Sequence, residues 1–146
     1  MVLWSKKLGL VDSEGQILRG HFGKLAIANP RLAPYGLAAQ ETLENLKLWN
    51  DVQNRLVMGE SISQTMQFAD SGNADLAFIA LSQTIKDGKT IVGSLWRVPP
   101  HLYHPIRQDA VRLAKPQNQV AATAFLNYLK EEKAIAVIRA YGYDLP

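Results

Sequence analysis

An α/β fold with a mainly buried, mixed sheet is predicted by three stretches of this chain: two strand–turn–helix units and one continuous apolar strand. In the first unit, Leu25-Ala26-Ile27-Ala28 is a short apolar run bounded by Asn29-Pro30 and reads as a buried strand. Pro34 suits the opening of a helix, because its fixed φ fits the first turn and its missing N–H removes no bond there. Ala39, Leu43 and Leu46 then recur at i, i+4 and i+7, the core-facing stripe of an amphipathic helix. In the second unit, Leu56-Val57-Met58 reads as a strand turned by Gly59-Glu60. Ser61-x-x-Gln64 has the form of a capping box. Ile62, Met66 and Ala69 repeat at helical spacing, and Gly72 is a suitable terminator. The third stretch, Asp75 to Leu81, is apolar without alternation, as in a strand covered on both faces of a parallel or mixed sheet.

The remaining elements follow in order. Val2-Leu3-Trp4 reads as a short strand and Lys6 to Gly20 as a polar connection. Leu48 to Leu56 forms a second short helix carrying Leu48, Trp49 and Val52, with Trp49 as a packing anchor. Ser82-Gln83 caps another short helix that leads to a turn at Asp87-Gly88. Thr90 to Val98 reads as one strand containing Trp96, ended by Pro99-Pro100. Ile106-Arg107 and Ala110 to Leu113 suggest a further strand pair. Val120, Ala124 and Tyr128, with Phe125 and Leu129 beside them, mark a first C-terminal helix. Ala134, Val137 and Ile138 mark a second, which Gly142 ends before Pro146 closes the chain.

Composition narrows the function. A chain of 146 residues with 47% hydrophobic and 20% charged side chains is an ordinary α/β domain with a substantial core. The net charge of +3 is spread without a Lys/Arg run, so no nucleic-acid partner is predicted, although the tilt suits an anionic ligand. With no cysteine, disulfides and thiol chemistry are excluded. No stretch approaches the ~18 apolar residues of a membrane span. Catalytic signatures such as GxSxG, the Walker loop, GxGxxG and HExxH are missing, so the chain does not read as an enzyme. His101 and His104 lack a carboxylate or third histidine at ligand spacing, so no metal site is predicted. Glu41, Glu44 and Asp51 read as solvated surface. Lys133 and Arg139 read as cations at the C-terminal end of a helix.

What the two strand–turn–helix units do offer is a pair of helix N-termini, whose free amides and positive dipole ends favour an anion. Both should open on the same edge of the sheet, and helices on opposite faces would leave them without a common site. Neutral donors in a cavity of fixed size can hold a dianion through charge-assisted bonds and select it by radius.

The order of several motifs resembles the periplasmic molybdate-binding proteins, the solute receptors of molybdate ABC importers. The motifs are VLWS, NPRLAPYGLAA, GESISQT, SGNADLAFIALS and AYGYDLP, in register over nearly all 146 residues. The resemblance implies a periplasmic-binding-protein-like (type II) lobe with a mixed, mainly parallel sheet flanked by helices, plus C-terminal helices. Residues 1–105 would be the second lobe and 106–146 a segment returning toward the first, most of which would lie before Met1. It implies molybdate or tungstate as ligand, held between Tyr35 with Pro34 in the first loop and Ile62 beside Ser61 in the second, chiefly by the backbone amides of Tyr35 and Ile62. Some family members carry a tyrosine where this chain has Ala80, whereas others supply one from the strand–helix loop, here Tyr35. It implies no cofactor, molybdenum only as the bound oxyanion, a membrane permease as partner, and a periplasmic location with an export signal outside these residues. Apolar Phe125, Leu129, Val137 and Ile138 would face the absent lobe or, in this chain alone, a second copy. A ligand-sensing domain of a transcription regulator is the alternative reading, since such domains share the lobed fold.

Overall fold

Short strands that are apolar on both faces build the centre of the molecule. The structure is a computed structural model and describes residues 1–86, 88–114 and 117–145. Strands β1 (Val2–Ser5), β2 (Leu25–Ala28) and β4 (Leu76–Ile79) are buried at every position, as their continuous apolar runs require. With β3 (Leu56–Gly59) and β7 (Ser94–Arg97) they form one sheet in the order β3-β2-β4-β1-β7. β2 runs parallel to both β3 and β4, whereas β1 is antiparallel to β4 and β7, so the sheet is mixed.

Alternation along each strand creates two core layers. Leu3, Leu25, Ile27, Leu76 and Phe78 point to one face and meet Ala39 and Leu43 of helix α1 (Pro34–Asn45), together with Val52 of the short helix α2 (Trp49–Val52). Val2, Trp4, Ala26, Ala77 and Ile79 point to the other and meet Ala69, Met66 and Ile62 of helix α3 (Ile62–Asp70). Trp49 packs partly buried against the first layer, as expected of an anchor. Each large aliphatic side chain sealed in these layers contributes about 1.5–3 kcal/mol of transfer free energy.

Several expected boundaries shift. The run from Thr90 to Val98 is two elements. Lys89–Thr90 (β6) pairs with Ile85–Lys86 (β5) in a small hairpin, and Ser94–Arg97 joins the main sheet. Gly93, at φ 144°, divides them, because any Cβ there would collide with the Ser5 carbonyl and the Trp4 indole. Ser82 lies inside a short 3-10 turn, Leu81–Thr84, whose N-cap residue is Ala80; of the expected pair, Gln83 does serve the cap, its Oε1 accepting the Ala80 N–H at 3.0 Å. Asp87 of the expected turn and the terminal Pro146 lie outside the described residues. The strand pair proposed for 106–113 is not formed. Val111 and Leu113 are 85% and 73% exposed, so the alternation has no surface against which to bury one face.

The chain divides into two compact units, Met1–Ile106 and Arg107–Pro146. The second unit contains α4 (Gln119–Tyr128), capped by the Asn118 side chain on the Ala121 N–H at 3.1 Å, and α5 (Glu132–Ala140). Arg139 sits in the last turn of α5 as the helix dipole favours. Lys133, expected beside it, lies instead near the N-terminus, because the helix begins only at Glu132.

Candidate functional site

Two crossovers leave the parallel strands in opposite directions. β2 connects through α1 to β3 on one side, and β3 connects through α3 back past β2 to β4 on the other. Crossovers of one hand that travel in opposite directions must use opposite faces of the sheet. Accordingly α1 packs on one layer and α3 on the other, contrary to the expectation that a common site needs a common face. A crevice nevertheless remains, for a topological reason. Helices that diverge from the carboxyl ends of adjacent parallel strands leave a crevice between them at that edge, where open α/β sheets bind ligands. Ala28 and Gly59 are register partners at the ends of β2 and β3, and the Asn29 N–H continues the pairing to the Gly59 carbonyl at 2.7 Å. Both loops therefore start side by side.

The first loop is shaped by the Asn29 side chain and by its own backbone. The Asn29 Oδ1 accepts the Arg31 N–H at 3.0 Å, and the Asn29 carbonyl accepts those of Leu32 and Ala33 at 3.0 Å each. Ala33 is the N-cap, with no side chain to serve the orphan amides, and Pro34 and Tyr35 occupy the first two helical positions. Gly36 follows and is buried. A Cβ on it would collide with the Ala28 carbonyl, so glycine is what lets α1 approach the end of β2.

The second loop relies on side chains. The Ser61 Oγ accepts the Gln64 N–H at 3.2 Å. The Gln64 Oε1 accepts the Glu60 N–H at 2.7 Å, so the reciprocal half of the capping box reaches one residue further back than the motif predicts. Thr65 Oγ1 donates to the Ser61 carbonyl at 2.9 Å. Ile62 and Ser63 occupy the first two helical positions, and their N–H groups have no acceptor within the chain among the described residues. Neither α1 nor α3 carries an acidic residue in its first turn. Glu60 lies just ahead of the Ser61 cap and is exposed. The pairs Pro34–Tyr35 and Ser61–Ile62 thus stand at the starts of helices that leave neighbouring strands at one edge.

Two residues make long-range bonds that the sequence reading did not assign them. Gln83, after β4, accepts the Ala80 N–H at 3.0 Å through Oε1 and donates to the Ile62 carbonyl at 3.2 Å through Nε2. Glu41 is not a solvated carboxylate: its side chain is only 19% exposed and receives the His104 N–H at 2.8 Å, with His104 Nδ1 also 2.8 Å away. The backbone N–H of His104 is the main cause that holds the Glu41 carboxyl below its ordinary range. A separation of 63 residues leaves no local pattern to find this pair. Among the described residues, no group of three or more His, Cys, Asp or Glu side chains is placed to hold a metal.

An open cleft of about 160 Å³ lies at the opposite edge of the sheet, lined by Ser5, Lys6, Lys7, Ala69, Gly72, Ala74 and Asp75. Its lysines are matched by carboxylates, Lys6 to Asp70 at 3.0 Å and Lys7 to Asp75 at 2.6 Å. The Lys7 hydrogen bond is the main cause that lowers the Asp75 pKa. This cleft offers an anion no unmatched charge, and the crevice at the β2–β3 edge is the better candidate.

Residues 1–144 match the family model described as bacterial extracellular solute-binding protein. The chain is 53% identical to the molybdate-binding protein ModA of Azotobacter vinelandii over 99% of this chain and 58% of that protein. It is 45% identical to ModA of Rhodobacter capsulatus over 98% of this chain and 56% of the relative. It thus spans less than two thirds of the length of these curated relatives. The solved periplasmic molybdate-binding protein of Azotobacter vinelandii superposes with a TM-score of 0.93 at 42% identity, covering 99% of this chain and 64% of that one.

Proposed function

Because the chain belongs to the bacterial extracellular solute-binding protein family, we propose that it binds a tetrahedral oxyanion, molybdate or tungstate, in the crevice between the first turns of α1 and α3. The observation that carries this reading is the pair of helix N-termini that rise from adjacent parallel strands where their crossovers part. The amides of Tyr35 and Ile62 make the contacts, Pro34 sets the first turn of α1, and Ser61 caps α3. Similarity to molybdate-binding proteins supports the choice of anion.

Residues 1–105 are assigned to the second lobe of the receptor and 106–146 to the segment that returns toward the first, which supplies the rest of the anion's shell. The receptor works in the periplasm and delivers its ligand to the membrane permease of a molybdate ABC importer. It is a binding protein rather than an enzyme, and neither a cofactor nor nucleic acid belongs to this function. The relatives described above are named for molybdate binding, so the regulator reading is set aside.

Taken alone, the 146 residues hold only part of the shell. Losing two charge-assisted bonds weakens binding by roughly two to four orders of magnitude. Phe125 and Val137, 59% and 58% exposed, also make the C-terminal third a surface for a second copy. Isothermal titration with molybdate, tungstate and sulfate, run beside light scattering, tests both points. Weak binding that favours molybdate and tungstate over sulfate, in a dimer, is expected. Equal affinity for sulfate contradicts the ligand, and tight binding by a strict monomer contradicts the half-shell.

A further inference from the structure

We infer that Gln83 is the positioning residue that aims the first-turn amides of α3 and so sets which oxyanion the crevice prefers, an inference that rests on the oxyanion-binding reading above. Gln83 lies half-buried in the turn after β4, on a different element from the amides it would control. Its Oε1 accepts the Ala80 N–H at 3.0 Å and its Nε2 donates to the Ile62 carbonyl at 3.2 Å. The orientation of this amide is fixed by its partners, since a flipped group would set NH2 against an N–H and oxygen against oxygen.

The other side-chain bonds at the start of α3 are internal to it. Ser61 Oγ with the Gln64 N–H, Gln64 Oε1 with the Glu60 N–H, and Thr65 Oγ1 with the Ser61 carbonyl all join residues of one segment and turn with it. Gly59 packs against Thr65, with a Cβ position only 3.0 Å from its N and Oγ1, which limits how close the helix stands to β3. Ile62 and Met66 also pack partly buried against the second core layer, and apolar contact of this kind seats the turn without fixing the direction of its amides. Among the described residues, Gln83 supplies the side-chain hydrogen bond that ties this turn to another strand end. The Ile62 carbonyl shares a peptide plane with the Ser63 N–H, so this bond holds that donor directly and the Ile62 N–H through the adjoining backbone. A site of neutral donors selects by the size of its cavity, and size is defined only if the donors are held still.

The test uses 15N-labelled protein, the unaltered chain beside Gln83→Met and Gln83→Glu. Methionine keeps the bulk and loses both bonds, whereas glutamate keeps an acceptor for Ala80 but cannot donate to Ile62. Dissociation constants for molybdate and sulfate come from the Ile62 and Ser63 amide shifts, and hydrogen exchange reports on the first turn without ligand. Gln83→Met should weaken molybdate by about tenfold, the equivalent of one hydrogen bond. It should weaken sulfate less, so that discrimination narrows, and should speed exchange at Thr65 and Met66 relative to Ala69. Gln83→Glu should lose molybdate at least as strongly. If the unaltered chain responds at Ile62 and Ser63 but Gln83→Met keeps the same molybdate-to-sulfate ratio, the positioning role is overturned. A unaltered chain that answers neither anion overturns the oxyanion reading and this inference with it.

Discussion

The first turns of α1 and α3 stand at the ends of neighbouring strands, yet they are built in opposite ways. At α3 the geometry is held by polar side chains, with Ser61 and Gln64 satisfying backbone amides and Gln83 reaching in from the next strand. At α1 the cap residue is Ala33, which offers no side-chain acceptor. Position there depends on Pro34, whose φ is fixed, and on Gly36, which lets the helix press against the Ala28 carbonyl. One N-terminus is tuned by hydrogen bonds that can be lost one at a time. The other is set by covalent and steric limits, where one atom too many displaces the whole helix. A rigid jaw facing an adjustable one suits a site that must fix the size of its ligand.

The largest effect should come from breaking the steric jaw. Gly36→Val adds carbon where the strand carbonyl already sits, and should cost about 3 kcal/mol, the upper end of overpacking penalties, read from urea unfolding. Next comes the amide itself. Ile62→Pro keeps a residue that helices accept at their first position but deletes a donor, so molybdate binding should fall by about 1.5–3 kcal/mol while the fold survives. Ile62→Val retains the donor and should bind almost normally, and similar losses in the two variants would point to the side chain instead. Ser61→Ala removes the α3 cap and should lower stability by about 1 kcal/mol. Tyr35→Phe keeps its backbone donor and should weaken the anion least. A loss as large as that of Ile62→Pro would mean that the tyrosine hydroxyl carries the contact.

The smallest effect lies behind α1. Glu41 has its pKa lowered in the fold chiefly by the His104 N–H, so the bonds to its carboxylate add stability above the ordinary carboxylate range, and that stability is lost as pH falls through the lowered pKa. Thermal melts between pH 7 and 3 should show a steeper acid loss for the unaltered chain than for Glu41→Gln. Parallel curves would show that Glu41 contributes no pH-dependent stability.

How far the sequence could be read follows from how local each signal is. Leu25–Ala28 and Leu76–Ile79 were legible because both faces of their strands are buried, and Pro34 and Ser61 marked their helix starts within a turn of their position. The break at Gly93 was not, since a lone glycine inside a strand-like run does not reveal that Trp4 and Ser5 crowd its Cα. The alternation at 110–113 misled for the reverse reason: a strand pattern needs a partner, and Val111 and Leu113 have no surface to cover them. Helices on opposite faces follow from strand order, which no single segment contains. Gln83 and Glu41 belong to bonds with residues 21 and 63 positions away, beyond any local pattern.

The proposed anion position lies between the two first turns at the β2–β3 edge. Titrating 15N-labelled protein with molybdate tests it most directly, because every backbone donor reports for itself. The largest amide shifts are expected at Tyr35, Ile62 and Ser63, with sulfate producing smaller changes at the same residues. Shifts concentrated on Lys6, Lys7 and Asp75 at the opposite edge, with those three amides unmoved, would place the anion elsewhere.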